Sequence, residues 1–465
     1  MVAITSEDCL RQGTLTEVEP TIIPRDAHPI SRRDISDNAL KVLYRLRKAG
    51  YQAYMVGGGV RDLSLGREPK DFDVATDAHP EEVAQLFRNC RLIGRRFRLA
   101  HVHFGPEIIE VATFRALPPP DDDGAEGERV IDNGRIVRDN VYGTLAEDAL
   151  RRDFTVNALY YNIADFSVVD HAGGMEDLQG GVIRLIGDPR ERYQEDPVRM
   201  LRAVRFALKL GFRIHPETAA PLPEMASALA DMPAARLFDE ALKLFMAGTG
   251  LSAFEMLRHY GLFEPLMPLT AEALAEEGSE DWIPFIAAAL RNTDERVSAD
   301  KPVTPAFLFA ALLWPAVRRR EAELVEAGEA QVPALQRASS EIQALQQSRI
   351  ALPKRFSIPM REVWTLQPRF ERRGGKRARR LLGHPRFRAA YDFLELRAQA
   401  GDASQELVQW WRDFQDQPEK PPSQKKGSGS SSRRRRGSRG RGRARAKDGG
   451  EGGAGDGGGS PEAGS

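Results

Sequence analysis

Apolar and polar positions follow two different rhythms along this chain, and the change falls near Arg190. Residues 36–50 (SDNALKVLYRLRKAG) have the spacing of an amphipathic helix that stops at Gly50. Residues 51 to about 168 alternate short strand and helix patterns, which predicts an α/β head. Within it, Tyr54, Met55 and Val56 read as a strand running into Gly57, Gly58 and Gly59, and Val60 to Leu65 reads as a helix opening. Ile108 to Phe114 reads as a strand carrying Glu110 between outward-facing Ile109 and Val111. Residues 116–129 (ALPPPDDDGAEGER) must be a loop, and Asn133-Gly134 between apolar runs signals a hairpin turn. From Arg190 the pattern is helical. Segments 235–246, 251–263 and 305–319 read as buried or amphipathic helices, the last bounded by Pro305 and Pro315. Residues 320–415 continue as helix and become more basic, with Lys376, Arg377, Arg379 and Arg380 close to Arg372 and Arg373.

The ends of the chain lack these rhythms. Residues 1–35 have no periodicity and contain Pro20, Pro24 and Pro29, which predicts a loosely ordered extension. From Gln417 onward Pro, Ser, Gly and Arg dominate, a composition that cannot bury a core and predicts disorder. The expected organisation is α+β: a head at 36–190, a helical neck at 191–265, a helical body at 266–416 and a tail at 417–465.

Composition narrows the function classes. A chain of 465 residues with 41% hydrophobic content can bury two or three cores. It has no run of 18 apolar residues, so no membrane span is expected, and its first twenty residues carry acids without an apolar stretch, so no secretory signal is expected. Cys9 and Cys90 are the only cysteines, which argues against a disulfide framework and fits a reducing cytoplasm; no Cys/His cluster suggests zinc. The formal net charge of zero hides an asymmetry. Twelve Lys or Arg and no acid lie between Lys420 and Lys447, so residues 420–465 carry +8 and the rest of the chain −8. The stretch KKGSGSSSRRRRGSRGRGRARAK (425–447) is a phosphate-seeking polycation with no aromatic residue to stack on bases. Such segments bind RNA through counterion release, independently of sequence.

The densest candidate chemistry lies in YMVGGGVRDLSLGREPKDFDVATD, Tyr54 to Asp77. Glycines at a strand-to-helix turn let backbone N–H groups approach a phosphate, and Arg61 in the first helical turn would add a forked donor. On a strand Asp71 and Asp73 would point to one side and Phe72 to the other. Two adjacent carboxylates repel each other, and a divalent cation relieves that repulsion; Mg2+ is commonly held by one or two carboxylates plus substrate phosphates. A phosphate cradle followed by a metal-binding pair is equipment for nucleotidyl transfer.

With these residues in place, the chain resembles the class II nucleotidyltransferases of the polymerase β superfamily, which include tRNA CCA-adding enzymes and bacterial poly(A) polymerases. The resemblance spans residues 40 to 265, and more loosely to about 415. It is carried by GGGVRD (57–62), DFD (71–73), IIEVATFR (108–115), EDALRRDFTVNALYYN (147–162), DHAGGMEDLQGGVIRLIG (170–187) and EDPVRMLRAVRFA (195–207). The segment LIGRRFRLAHVHFG (92–105) is closer to the poly(A)-adding branch than to the CCA-adding one.

The resemblance implies a polymerase β-like head and two-metal catalysis with Mg2+ (or Mn2+) on Asp71 and Asp73. A third carboxylate is expected from either Glu110 or Asp153. Arg152 and Asn157 match the family's contacts to triphosphate and ribose. Asp196 and Pro197 make a helix start, after which Arg199, Arg202 and Arg205 recur along one face and Val198, Leu201, Val204 and Leu208 along the other. Without the resemblance this is a capped helix with a solvated basic stripe. With it, Asp196 accepts from an exocyclic amine and Arg199 donates to the neighbouring ring nitrogen, with Arg202 in the same nucleotide-binding set. Adenine and cytosine offer that donor–acceptor order; uracil and guanine offer the reverse. ATP and CTP therefore both stay open on this pair. The polycationic tail and the segment at 92–105 favour ATP-dependent polyadenylation of the 3′ ends of mRNA and other RNAs, in support of RNA processing and decay. RNA-decay or RNA-chaperone proteins are candidate partners. CCA addition to tRNA is the alternative, and a catalytically dead RNA-binding protein is the rival from another class.

Overall fold

The α/β rhythm builds one large mixed sheet. Its strands are β1 (Thr21–Ile23), β2 (Ala53–Val56), β3 (Asp73–Thr76), β4 (Cys90–Ile93), β5 (Leu99–Phe104) and β6 (Glu107–Thr113). A separate antiparallel pair, β7 (Arg129–Asp132) with β8 (Arg135–Asp139), precedes the last two members of the large sheet, β9 (Leu159–Asn162) and β10 (Val168–Asp170). The order across the sheet is β1-β10-β9-β2-β3-β6-β5-β4. Every neighbouring pair is antiparallel except β3 with β6, which run parallel. The computed structural model describes residues 19–94, 98–116, 129–132, 135–139, 141–276, 278 and 280–416, and residues up to Asp416 form one compact unit. The tail from Gln417, the loop at 117–128 and the Asn133-Gly134 turn lie outside the described residues.

Strand alternation gives the sheet two unequal faces. Met55, Val74, Val102, Ile109, Val111 and Tyr161 enter the main core, where α1 (Asp37–Lys48) supplies Val42, Leu43 and Leu46. Ser36 caps that helix by accepting from the Ala39 backbone N–H at 3.0 Å. The other face holds a smaller cluster of Val56, Ala75, Phe114, Tyr160 and Val169, with Ala149 from α4 (Leu145–Leu150). Between these helices lie α2 (Gly58–Ser64) and α3 (Pro80–Leu86). Two expectations change here. Ile109 and Val111 are 1% and 2% exposed and point into the main core rather than outward. Residues 21–23, expected in a loose extension, form an edge strand paired with Val168–Asp170, because the edge of β10 offers backbone partners.

After α5 (Gly174–Gly180) and the two-residue strand β11 (Val182–Ile183), the chain is almost wholly helical. First come α6 (Pro189–Glu195) and α7 (Val198–Leu210), then β12 (Arg213–Ile214), which pairs with β11. Next are α8 (Ala234–Phe245), α9 (Gly250–His259) and α10 (Trp282–Ser298). They are followed by α11 (Pro305–Glu326), α12 (Gln331–Gln347), α13 (Lys354–Phe370), α14 (Gly375–Leu382), α15 (Phe387–Gln399) and α16 (Gln405–Gln415). The segment expected as one helix over 251–263 breaks after His259, where Gly261 takes φ +69° and Phe263–Leu266 forms a separate turn of helix. Pro315 does not end its helix. α11 runs through it to Glu326, since Leu312, Leu313, Trp314, Ala316 and Val317 are all fully packed and that burial outweighs the missing backbone bond. The core that begins under the sheet continues into these helices as far as Phe393 and Leu396. A second cluster around Phe370, Phe387 and Trp411 closes the C-terminal helices. No described helix is long and apolar enough to cross a membrane.

Candidate active site

The glycine run sits where β2 turns into α2. Gly57 has φ +71°, which an L side chain rarely adopts, and a Cβ there would lie 3.4 Å from Arg152 Nη1. A Cβ on Gly59 would approach the backbone oxygen of Asp71 at 3.7 Å. The run therefore lies between Arg152 and the segment leading into β3. Arg152 is tethered by its other nitrogens: Nε donates to Tyr160 Oη at 2.8 Å and Nη2 to Asp148 Oδ2 at 3.1 Å. Tyr160 in turn donates to Asp148 at 2.6 Å. Burial alone would lower the Arg152 pKa, but Tyr160 and Asp148 more than offset it and raise it above the ordinary guanidinium value. Asp148 and Tyr160, to which the sequence analysis gave no role, thus aim a permanent cation at the glycine turn.

The carboxylates occupy the small-cluster face of the sheet. Asp73 is the first residue of β3; Asp71 is exposed just before the strand. Glu110 stands directly beside Asp73 in the parallel register of β3 and β6. Burial, and then the charge of Glu110, push the Asp73 carboxyl up to about 6, with Asp71 adding to the shift and Arg152 opposing it. The third carboxylate candidate, Asp153, is elsewhere in chemical terms. Its side chain is 11% exposed and is held by Arg202 (Nε to Oδ2, 2.6 Å), Asn157 (Nδ2 to Oδ1, 3.1 Å) and the Phe154 backbone N–H (2.9 Å). Burial would raise its pKa, yet Arg202 and these donors hold it down at about 2. The register thus sets Glu110 beside Asp73, whereas Asp153 is paired with Arg202.

Two further candidates belong with Asp153. Arg61, expected to reach phosphates, is 2% exposed: Nε donates to Asp62 at 2.8 Å and Nη1 to Asn157 Oδ1 at 2.6 Å. Asn157 is 7% exposed, and both ends of its amide are engaged, by Arg61 and by Asp153. The result is a hydrogen-bonded chain, Arg61–Asn157–Asp153–Arg202, that ties the helix after the glycine turn to α7. Arg61 and Asn157 are buried within this chain, and the Arg202 side chain at its end is 30% exposed. Motif position could not reveal this, because burial is a tertiary property.

The expected base-reading residues lie at the α6–α7 junction. Asp196 accepts from the Val198 backbone N–H at 3.3 Å, and both Nη atoms of Arg236 reach it, at 2.8 and 2.6 Å. Arg199 Nη1 donates to Glu195 Oε2 and to the Arg192 carbonyl, each at 2.7 Å. Arg192 binds Glu195 at 2.6 Å and the carbonyls of Arg151 and Arg152 at 2.6 and 2.7 Å, joining α6 to the backbone at Arg152. Arg205 pairs with Glu240 at 2.9 Å. The basic stripe is thus paired rather than solvated, while Val198, Leu201 and Val204 are buried as expected. Arg236 and Glu240 were not legible beforehand, since they lie in a helix about 40 and 35 residues from their partners.

A cation fits this arrangement. Asp73 is a half-buried carboxylate next to Glu110 in the sheet, and burial first, then the Glu110 charge, raise its pKa. Among the described residues no group of three or more His, Cys, Asp or Glu side chains could hold a metal alone, so substrate phosphates would complete the coordination.

Three family models match the chain: the poly A polymerase head domain over residues 53–184, a probable RNA and SrmB-binding site of polymerase A over 211–274, and the polymerase A arginine-rich C-terminus over 327–447. The chain is 53% identical over 429 residues to poly(A) polymerase I of Salmonella typhi, covering 91% of both chains. It is 38% identical over 226 residues to the CCA-adding enzyme of Lactobacillus gasseri, a match that spans 49% of this chain and 54% of that one. Among solved structures, it is similar to the CCA-adding enzyme of Bacillus stearothermophilus in complex with CTP, with TM-score 0.55 and 25% identity over 81% of this chain and 80% of that one.

Proposed function

Because the chain belongs to the poly(A) polymerase I family, we propose how its residues carry out template-independent addition of AMP to RNA 3′ ends. It is a nucleotidyltransferase, and the CCA-adding alternative fits less well because the sequence likeness to such an enzyme extends over only half the chain, against 91% for poly(A) polymerase I. The observation that carries the assignment of the site is the Asp73–Glu110 pair beside a glycine turn that Arg152 faces.

In this reading Asp73 and Glu110, with Asp71 at the exposed rim, hold Mg2+ (or Mn2+). The bound cation neutralises charge on the attacking 3′-oxygen and on the α-phosphate. Arg152 directs Nη1 toward the phosphates, while Tyr160 and Asp148 keep it from swinging away. The backbone at Gly57–Gly59 makes room for the triphosphate. Arg61, Asn157, Asp153 and Arg202 fix the angle between this cradle and α7. Asp196 and Arg199 read the adenine edge, accepting from N6–H and donating to N1. Their present partners, Arg236 and Glu195, hold both side chains in fixed rotamers, so a base meets a preset donor and acceptor. A site that hydrogen-bonds its substrate rejects analogues that leave its groups unpaired.

The domain boundaries proposed from the sequence are kept: head to 190, neck to 265, body to 416. They are supported by the large sheet ending at β10 and by a chain that is almost wholly helical after β11. RNA would run over the body, where Arg372, Arg373, Lys376, Arg377, Arg379 and Arg380 are exposed with no ion-pair partner among the described residues. The tail would add sequence-independent grip, and RNA-decay or RNA-chaperone proteins remain its proposed partners. A cytoplasmic setting suits two cysteines, of which Cys90 is free.

The test uses purified full-length protein, a labelled RNA with a generic 3′ end and each nucleotide separately. Long products with ATP alone are expected. Addition of C residues, or of CCA restricted to tRNA, would overturn the adenine assignment.

A further inference from the structure

We propose that His101 is a positioning residue for nucleotidyl transfer, holding Glu110 alongside Asp73 so that the two carboxylates capture the divalent cation together. The inference rests on the reading of Asp73 and Glu110 as metal-binding carboxylates and gives a role to one residue of the segment at 92–105. Three adjacent strands supply it. In the antiparallel register of β5 and β6, His101 stands opposite Glu110, and in the parallel register of β6 and β3, Glu110 stands beside Asp73. The three side chains therefore form one row on one face of the sheet. His101 Nε2 lies 3.2 Å from Glu110 Oε2, with the imidazole side chain 20% exposed and the glutamate 42% exposed.

The physical need for such a contact follows from Glu110 itself. A partly exposed glutamate has freely rotating torsions, and beside a like charge it gains by turning into solvent. Asp73 is shorter and set into the strand, so it cannot follow. A hydrogen-bond donor fixed to the next strand counters that tendency and keeps the carboxylate in the row before any metal arrives. His101 is well mounted for this: Ala100 and Val102 on either side of it are fully buried, so the backbone of β5 cannot shift to release the contact. Outer hydrogen bonds of this kind orient ligating side chains and raise metal affinity. His103 lies on the same face but pairs with exposed Ile108, so the register, rather than the His-x-His pattern, selects His101.

The decisive measurement is Mn2+ binding to the nucleotide-free full-length protein, read from the electron paramagnetic resonance signal of free Mn2+. His101→Ala should weaken Mn2+ binding about tenfold and raise the half-saturating Mg2+ for AMP addition by a similar factor, while the ATP KM and the rate at saturating Mg2+ stay within about twofold. His101→Gln, whose side-chain amide also donates, should recover Mn2+ affinity to within about threefold of wild type. The proposal is overturned if His101→Ala binds Mn2+ as wild type does. It is also overturned if the Ala and Gln variants lose affinity equally and melt earlier, since the histidine is then only part of the strand. Asp73→Asn separates the two layers. Unchanged Mn2+ affinity in that variant overturns the carboxylate reading and this proposal together. Weakened affinity there with a silent His101→Ala overturns the role of His101 alone.

Discussion

Residues of one chemical type do different work in this site according to their surroundings, and carboxylates make the point best. Glu110 is partly exposed and faces another carboxylate, whereas Asp153 is enclosed and faces Arg202. Glu110→Gln should cut AMP addition at least about a hundredfold, or about 2.7 kcal/mol in the barrier, with the urea midpoint unchanged. Asp153→Asn should instead lower unfolding stability by about 3 kcal/mol, because Arg202 loses its buried partner. Kinetics and urea titration on both variants check this; a stable, inactive Asp153→Asn would return the third carboxylate to that position. The two aspartates also respond oppositely to pH. Asp73 is held up to about 6, so the folded protein binds its proton more tightly than the unfolded chain does. Its contribution is full below an unfolded pKa of about 4 and is lost as pH rises toward 6. Asp153 is held at about 2, so its contribution is present above about pH 4 and is lost only as pH falls toward 2. In metal-free protein, the difference in urea midpoint between wild type and Asp73→Asn should shift against wild type between about pH 4.5 and 6.5, and added Mg2+ should restore it.

At the scale of elements, α7 does two jobs. Its apolar face is sealed into the core by Val198, Leu201 and Val204, and its charged face is pinned by acids from three other segments: Asp153, Glu195 and Glu240. Asp196 and Arg199 at its start, the proposed base-reading pair, are therefore held by neighbouring side chains. Asp196→Ala should reduce kcat/KM for ATP and narrow the margin over GTP and UTP by about tenfold, or about 1.4 kcal/mol. Arg236→Ala should blur the same margin with a smaller effect on ATP, since it removes the partner that sets the Asp196 rotamer and leaves the acceptor in place. Rates with the four nucleotides on one RNA give both values. If Asp196→Ala lowers only the melting temperature and leaves nucleotide preference alone, the residue serves as a helix cap.

For the molecule as a whole, charge is divided between an acidic body and a basic end, −8 over residues 1–419 and +8 beyond. Deleting residues 417–465 should leave the compact unit folded and reduce RNA affinity. It should also flatten the dependence of log affinity on log salt, by about 0.7 for each RNA phosphate that the tail no longer neutralises. AMP transfer at saturating RNA should persist, and an unchanged salt slope would show that the tail does not touch RNA. The sequence alone determined the α/β-to-helical order, the glycine turn and the strands that carry Asp73 and Glu110, because these depend on local periodicity, backbone freedom and residue spacing, all of which are properties of neighbours in the chain. It left Glu110 and Asp153 as equals and assigned no partner within the chain to Arg61, Asn157, His101, Arg236 or Glu240. Those assignments depend on strand register and on which charges become buried together. The pairing of β3, β5 and β6 sets His101, Glu110 and Asp73 in one row, while the packing of α7 against the head turns Arg61, Asn157, Asp153 and Arg202 into a brace. Only the tertiary structure decides such matters, because the free energy of a charge is fixed by the groups that surround it and not by its neighbours in sequence.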